Sequence, residues 1–187
     1  MKVELKVNDK SVQAEIPEEL LKETVLFEQF KKLGLIEEQR TGYERVEKGS
    51  TYFFDDASGY ADSTAEEKYI VNQDFYDSGN YYSDCEIAEN NARADRLLRQ
   101  LRQWQAQNDE PISVEDWNNE SKKKWFIIYS YSSEEMYAEY YYIMRLPNTI
   151  YFATKEKAEE AIEVFKDELI WYFTEYVQRL DEAQDND

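Results

Sequence analysis

Val3, Leu5 and Val7 alternate with polar residues at the start of the chain, and after Asn8-Asp9-Lys10 the alternation resumes at Val12, Ala14 and Ile16. Period two on both sides of an Asn-Asp turn predicts a β-hairpin. Pro17 suits the first position of a helix, and Glu18-Glu19 suit its first turn. Leu20, Leu21, Val25, Phe27, Phe30 and Leu33 then read as an apolar helix face that Gly34 stops. Residues 1–36 are expected to form a ββα unit.

From about residue 43 the pattern changes to short strands. Thr51-Tyr52-Phe53-Phe54 is one, followed by a turn through Ser58-Gly59; Glu67-Lys68-Tyr69-Ile70-Val71 is a second candidate. Ser83 or Asp84 can cap a long helix over about 84–106, with Ile87, Ala94, Leu98, Leu101 and Trp104 on its apolar side. Residues 107–111 read as a connector. Trp125 to Ile128 and Met136 to Leu146 are then predicted strands, and Thr154 is placed to cap a helix over about 155–180. Its apolar positions are Ala158, Ile162, Phe165, Leu169 and Tyr172.

The expectation is therefore an α+β chain: the 1–36 element, then antiparallel-sheet-plus-long-helix units over 43–108 and 111–187. The order within these two units suggests an internal repeat. A shift of 70 residues lays Tyr81-Tyr82-Ser83-Asp84 over Tyr151-Phe152-Ala153-Thr154, and a shift of 73 lays Tyr52-Phe53 over Trp125-Phe126. The other reading is two ordinary βα units that share a capping pattern. Each sheet would expose an apolar face that it cannot bury alone, so the units are expected to pack together.

Charge and composition change the picture. The 187 residues carry 41 Asp+Glu against 22 Lys+Arg, a net charge of −19. With a mean hydropathy of −0.85 this invites a disordered reading. Sixteen Tyr, nine Phe and four Trp beside only five Gly and three Pro argue for a folded polyanion instead. The absence of histidine excludes His-based dyads, triads and imidazole metal sites. One cysteine excludes an intrachain disulfide and a thiolate-cluster zinc site. No apolar run approaches the ~20 residues of a membrane span, and no signal-peptide core follows Met1, so a cytoplasmic protein is expected.

The charge is concentrated. Between Asp55 and Glu89 stand Asp55, Asp56, Asp62, Glu66, Glu67, Asp74, Asp77, Asp84, Glu86 and Glu89 against Lys68 alone. Carboxylates two apart on a strand are separated by about 7 Å, and those one helical turn apart by about 5–6 Å. Duplex DNA carries one charge per ~1.7 Å of axis over its two strands. A rigid surface so studded can enter a groove built for nucleic acid; a merely solvated face is the competing reading. The tyrosines at 76, 81, 82, 137, 140, 141 and 142 divide by alternation into buried residues and outward contact groups, with Tyr137 and Tyr141 as candidates for the outward set.

Other chemistry is weaker. Arg93, Arg96, Arg99 and Arg102 recur every third residue and are expected to pair with acids, as is the run Lys122-Lys123-Lys124. An EF-hand template laid from Asp74 meets Gly79 at its sixth position but Tyr76 at its third and Cys85 at its twelfth, so it fails. No P-loop, G-x-G-x-x-G or G-x-S-x-G is present. Paired-carboxylate chemistry finds nothing to select one pair among 41 acids. Cys85 is expected to be a small buried hydrophobe. No cofactor, metal or enzymatic activity is expected.

Pro147 to Ala158, with Asp116-Trp117-Asn118-Asn119 and the strand at Trp125, resembles accessory proteins of phages and prophages of Gram-positive bacteria, and Gly79-Asn80-Tyr81-Tyr82 resembles a second copy of that module. The likeness spans about 43–180, and its motifs are structural. It implies a counter-defence context in the host bacterial cytoplasm. The function expected is an anti-CRISPR inhibitor: a DNA mimic that binds the basic nucleic-acid groove of a CRISPR-Cas effector nuclease and blocks target DNA. The alternatives are inhibition of another DNA-binding defence protein, or a phage structural or assembly role through oligomers, a homodimer among them.

Overall fold

The computed structural model describes residues 2–7, 10–15 and 40–183. The chain divides into two compact bodies at Arg40 and Thr41. In the first, β1 (Lys2–Val7) pairs antiparallel with β2 (Lys10–Glu15), and Val7 opposes Lys10. The expected hairpin is present, with Lys10 already in its second strand. The helix expected after Pro17 lies outside the described residues.

The second body contains β3 (Thr51–Asp55), β4 (Ala61–Ala65), α1 (Ile70–Asp77), α2 (Cys85–Asn108), α3 (Val114–Asn118), β5 (Lys124–Ser130) and β6 (Glu135–Tyr141). It closes with α4 (Lys155–Val164), α5 (Lys166–Thr174) and α6 (Leu180–Ala183). The class is α+β, as expected. Strand β3 pairs antiparallel with β4, and β5 with β6.

The same hydrogen-bond pattern occurs in both sheet-plus-helix units. Phe53 and Tyr82 exchange N–H···O=C bonds of 2.8 and 2.9 Å; Trp125 and Phe152 do the same at 3.0 and 2.7 Å. Each bridge adds one residue to the free edge of a hairpin, two residues before a helix cap. Asp84 accepts from the Ile87 amide at 3.1 Å, and Thr154 accepts from the Lys157 amide at 3.3 Å. The bridges place Phe53 opposite Trp125 in the comparison, a shift of 72 instead of 73. Replacing Asp84 by Ala removes the acceptor at the start of α2 and is expected to cost about 1 kcal/mol, measured by urea denaturation.

Three expected elements are placed differently, the first being the strand expected from Met136 to Leu146, which ends at Tyr141. The segment 67–71 is not a strand. Lys68 has a left-handed φ of +59°, its amide donates to the Glu66 carboxylate at 2.6 Å, and the Asn72 side chain accepts from the amides of Glu67 and Tyr69. These bonds turn the chain into α1. The partner of β3 is instead the polar run Asp62-Ser63-Thr64, which leaves four of the five β4 residues exposed. The helix expected over 155–180 breaks at Phe165, whose φ of −111° and ψ of 20° end α4 and begin α5, and α5 stops at Thr174. A straight helix of that length would run about 38 Å. The break instead lets Leu169 and Trp171 bury.

The core joins both units. Leu97 and Leu101 of α2 cluster with Ala138 of β6, Phe152, Ala158 and Ala161 of α4, and Leu169 of α5. A second cluster of Tyr82, Ile87 and Ala88 is covered by Tyr43, Phe53, Val177 and Leu180, so the C-terminal segment returns to the first unit. The Leu180 amide donates to the Thr41 carbonyl at 3.2 Å, and the Tyr176 hydroxyl donates to Asn91 at 2.8 Å. Gly42 must remain glycine: its φ is +91°, and an added Cβ would stand 2.9 Å from the Ile87 side chain.

Candidate functional site

The acids between 55 and 89 do not share one fate. Glu66 is fully buried, and it receives the Arg45 guanidinium at 3.0 Å, the Tyr81 hydroxyl at 3.0 Å and the Lys68 amide at 2.6 Å. The Arg45 hydrogen bond outweighs burial and holds its carboxyl below the usual range. Glu66 has no surface to offer a partner and leaves the proposed contact set. Asp55 is largely enclosed, with one oxygen 3.5 Å from Arg99 and Oδ1 buried without a hydrogen-bond partner. Burial pushes its pKa up, and Arg99 opposes the shift.

Asp56 is turned into its own loop, accepting from Ser58 and from the Tyr60 amide. Asp84 is the α2 cap, and Glu67 lies 3.6 Å from Lys48. The exposed members are Asp62, Asp74, Asp77, Glu86 and Glu89. Asp74 and Asp77 lie on α1 beside the exposed Tyr69, Ile70 and Val71 at its start; Ile70 is 82% exposed. Glu86 and Glu89 share the first turns of α2.

Of the tyrosines, Tyr81 and Tyr82 are buried, and Tyr52 and Tyr81 stack at 4.1 Å. Tyr137 points outward as expected, whereas Tyr141 is half-buried and stacked on Phe126 at 5.0 Å. The arginine row is largely spent internally. Arg93 grips Glu168 with two bonds of 2.9 and 3.0 Å and lies 3.9 Å above the Trp171 ring, while Arg96 donates to the Gly59 carbonyl at 2.7 Å. Gly59, at φ +83°, has no room for a Cβ against Arg96 and Arg99. Lys122 pairs with Asp116, and Lys124 is fully buried, its ammonium donating to the carbonyls of Asn119 and Tyr142. Cys85 is exposed, not buried, because it opens α2 on its solvent side. Partial desolvation of its sulfur by the surrounding helix and the neighbouring Glu89 carboxylate push the thiol pKa up.

The structure gathers acids where the linear charge count does not. Glu156, Glu159, Glu160 and Glu163 of α4 line one groove of about 640 Å³ with Trp104 of α2 and the exposed Val164. Their spacing of three, one and three residues puts them on one helix face. Lys155 and Lys157 pair with Glu159 and Glu160 at 2.8 and 2.7 Å, both at the surface, where such pairs contribute little. Trp104 is edge-on to the core residue Phe152, with ring centroids 6.1 Å apart. The groove floor is thus fixed to the core. Acids recurring on one helix face were the signal for this site; two lysines in the same helix, Lys155 and Lys157, diluted it.

No His/Cys/Asp/Glu cluster among the described residues has metal-holding geometry, and no described helix is long and apolar enough to cross a membrane. No family model, curated protein or solved structure matches the chain.

Acid should weaken the ties between the 41–44 segment and the start of α2. Glu44 is partly buried, which opposes ionisation, but hydrogen bonds from the Thr41 amide and hydroxyl and from Ser83 prevail and hold its pKa at about 2. A depressed folded-state pKa gives stability that is present above the unfolded value near 4.5 and lost as pH falls towards 2. The stability gap between wild type and Glu44→Gln is therefore expected to be largest above pH ~5 and to close towards pH ~2, measured by urea denaturation at each pH.

Proposed function

We propose that this protein is a non-enzymatic inhibitor that occupies the basic nucleic-acid groove of a DNA-binding host defence protein. From the likeness to phage accessory proteins, we place the groove in a CRISPR-Cas effector nuclease. The carrying observation is the row of four glutamates beside Trp104. Residues 156 to 163 span about 10 Å of helix axis, with the four carboxylates stepped by about 4.5, 1.5 and 4.5 Å along it. One strand of B-DNA carries a phosphate per ~3.4 Å of axis. A groove shaped for phosphates meets a comparable density of carboxylates on a rigid frame.

Trp104 and Val164 supply apolar surface beside that line, and Ile70 and Val71 do so beside Asp74 and Asp77. Desolvated aromatic and aliphatic groups within a charged rim are what a tight protein contact needs. The net charge of −19 adds long-range steering towards a basic partner. An order-of-addition cleavage assay tests the reading. Inhibition is expected when the protein meets the effector before target DNA, and little inhibition when DNA is loaded first. Equal inhibition in both orders contradicts groove occupation.

A further inference from the structure

We propose that a second pocket, between the end of α2, α3 and the loop before α4, binds a small anion that carries a planar heterocycle, a nucleoside monophosphate being the class it fits. Its volume is about 370 Å³, within the range of small-molecule sites. Arg102 and Arg145 line it, and no carboxylate does. The other three arginines of the α2 row donate to Glu168, to the Gly59 carbonyl and to Asp55. Among the described residues Arg102 and Arg145 have neither an ion pair nor a hydrogen bond. In a chain with 41 acids and 22 bases, two guanidinium groups left without a carboxylate at one concavity run against the local supply of partners.

Guanidinium forks bind phosphate through paired hydrogen bonds, which sets the anionic end of the ligand. The pocket also has an aromatic wall. Trp117 stands edge-on to the buried Tyr151, with ring centroids 5.0 Å apart, and the Tyr151 hydroxyl accepts from the Leu146 amide at 2.8 Å. The Arg145 guanidinium lies 5.2 Å from the Trp117 ring centre and the Lys124 ammonium 5.6 Å, so the wall is itself electropositive. Gln105 and Thr149 add an amide and a hydroxyl for the polar edge of a base. Two anion-binding forks, an aromatic wall and directional polar groups match a phosphate joined to a heterocycle better than either part alone.

Isothermal titration of the full chain with AMP, inorganic phosphate and adenosine tests this. AMP is expected to bind at least tenfold more tightly than either fragment, and R102Q/R145Q is expected to weaken AMP at least tenfold. The single exposed change R102Q, which leaves the Arg145–Trp117 contact intact, should weaken AMP severalfold without altering the fold by circular dichroism. No saturable binding at millimolar AMP, equal affinity for AMP and phosphate, or unchanged AMP affinity in R102Q overturns the proposal.

Discussion

Phe152→Ala is expected to destabilise the protein by about 3–5 kcal/mol, the usual cost of emptying a fully buried aromatic site. Phe152 has no exposed surface and sits among Leu97, Leu101, Ala158 and Leu169, where α2, α4 and α5 meet. Its backbone also closes the bridge to Trp125, which alanine can retain. The loss is therefore mainly packing, and Tm should fall on the order of 10 °C for a chain of this size. Ile170→Ala, at a site 37% exposed on α5, should change stability far less. Because Trp104 packs edge-on against Phe152, the deletion should also loosen the floor of the glutamate groove. Thermal unfolding and Trp fluorescence of the two variants check both parts.

Charge reversal on α4 carries the largest expected functional effect. The triple change E156K/E160K/E163K converts three carboxylates of one helix face into ammonium groups. All three are exposed, so folding should survive with a loss of a few tenths of a kcal/mol per disrupted helix pair. Binding to a basic groove should fall at least about 100-fold, which is about 2.8 kcal/mol. Association should slow more than dissociation quickens, since the change acts largely on steering. Reversal at Asp74 and Asp77 on α1 is the companion test of the second exposed patch. Circular dichroism with surface plasmon resonance separates unfolding from lost contact.

Reversal at Glu66 would be a poor version of that experiment, for a reason the sequence does not display. Its partners Arg45 and Tyr81 lie 21 and 15 residues away, and only the fold brings them together. A run of acids read along the chain counts this buried ion pair as surface charge. Asp55 and Asp84 are miscounted in the same way, one enclosed beside Arg99 and one capping α2.

Helix α2 and both caps were legible because helical spacing and a capping side chain are local signals. The hairpins at β1–β2 and β5–β6 were legible because apolar and aromatic residues mark them. Strand β4 was not: it is almost wholly exposed, so no hydrophobic alternation betrays it. Ile70 and Val71 supplied a false strand signal because they are apolar yet lie outside the core. The break at Phe165 was hidden for a different reason. The apolar spacing continues through it, and only the need to bury Leu169 and Trp171 against α2 bends the chain. The groove joins α4 to Trp104, some 50 residues earlier, so composition windows along the chain miss it.

Equilibrium competition tests the proposed function most directly. A labelled duplex bearing the recognition motif, bound to the effector nuclease, is followed by fluorescence anisotropy as this protein is added. Wild type should release the duplex stoichiometrically, with an affinity that weakens as salt rises, and E156K/E160K/E163K should fail to release it. A ternary complex in which DNA keeps its affinity while wild type is bound, or undiminished release by the triple variant, contradicts occupation of the nucleic-acid groove.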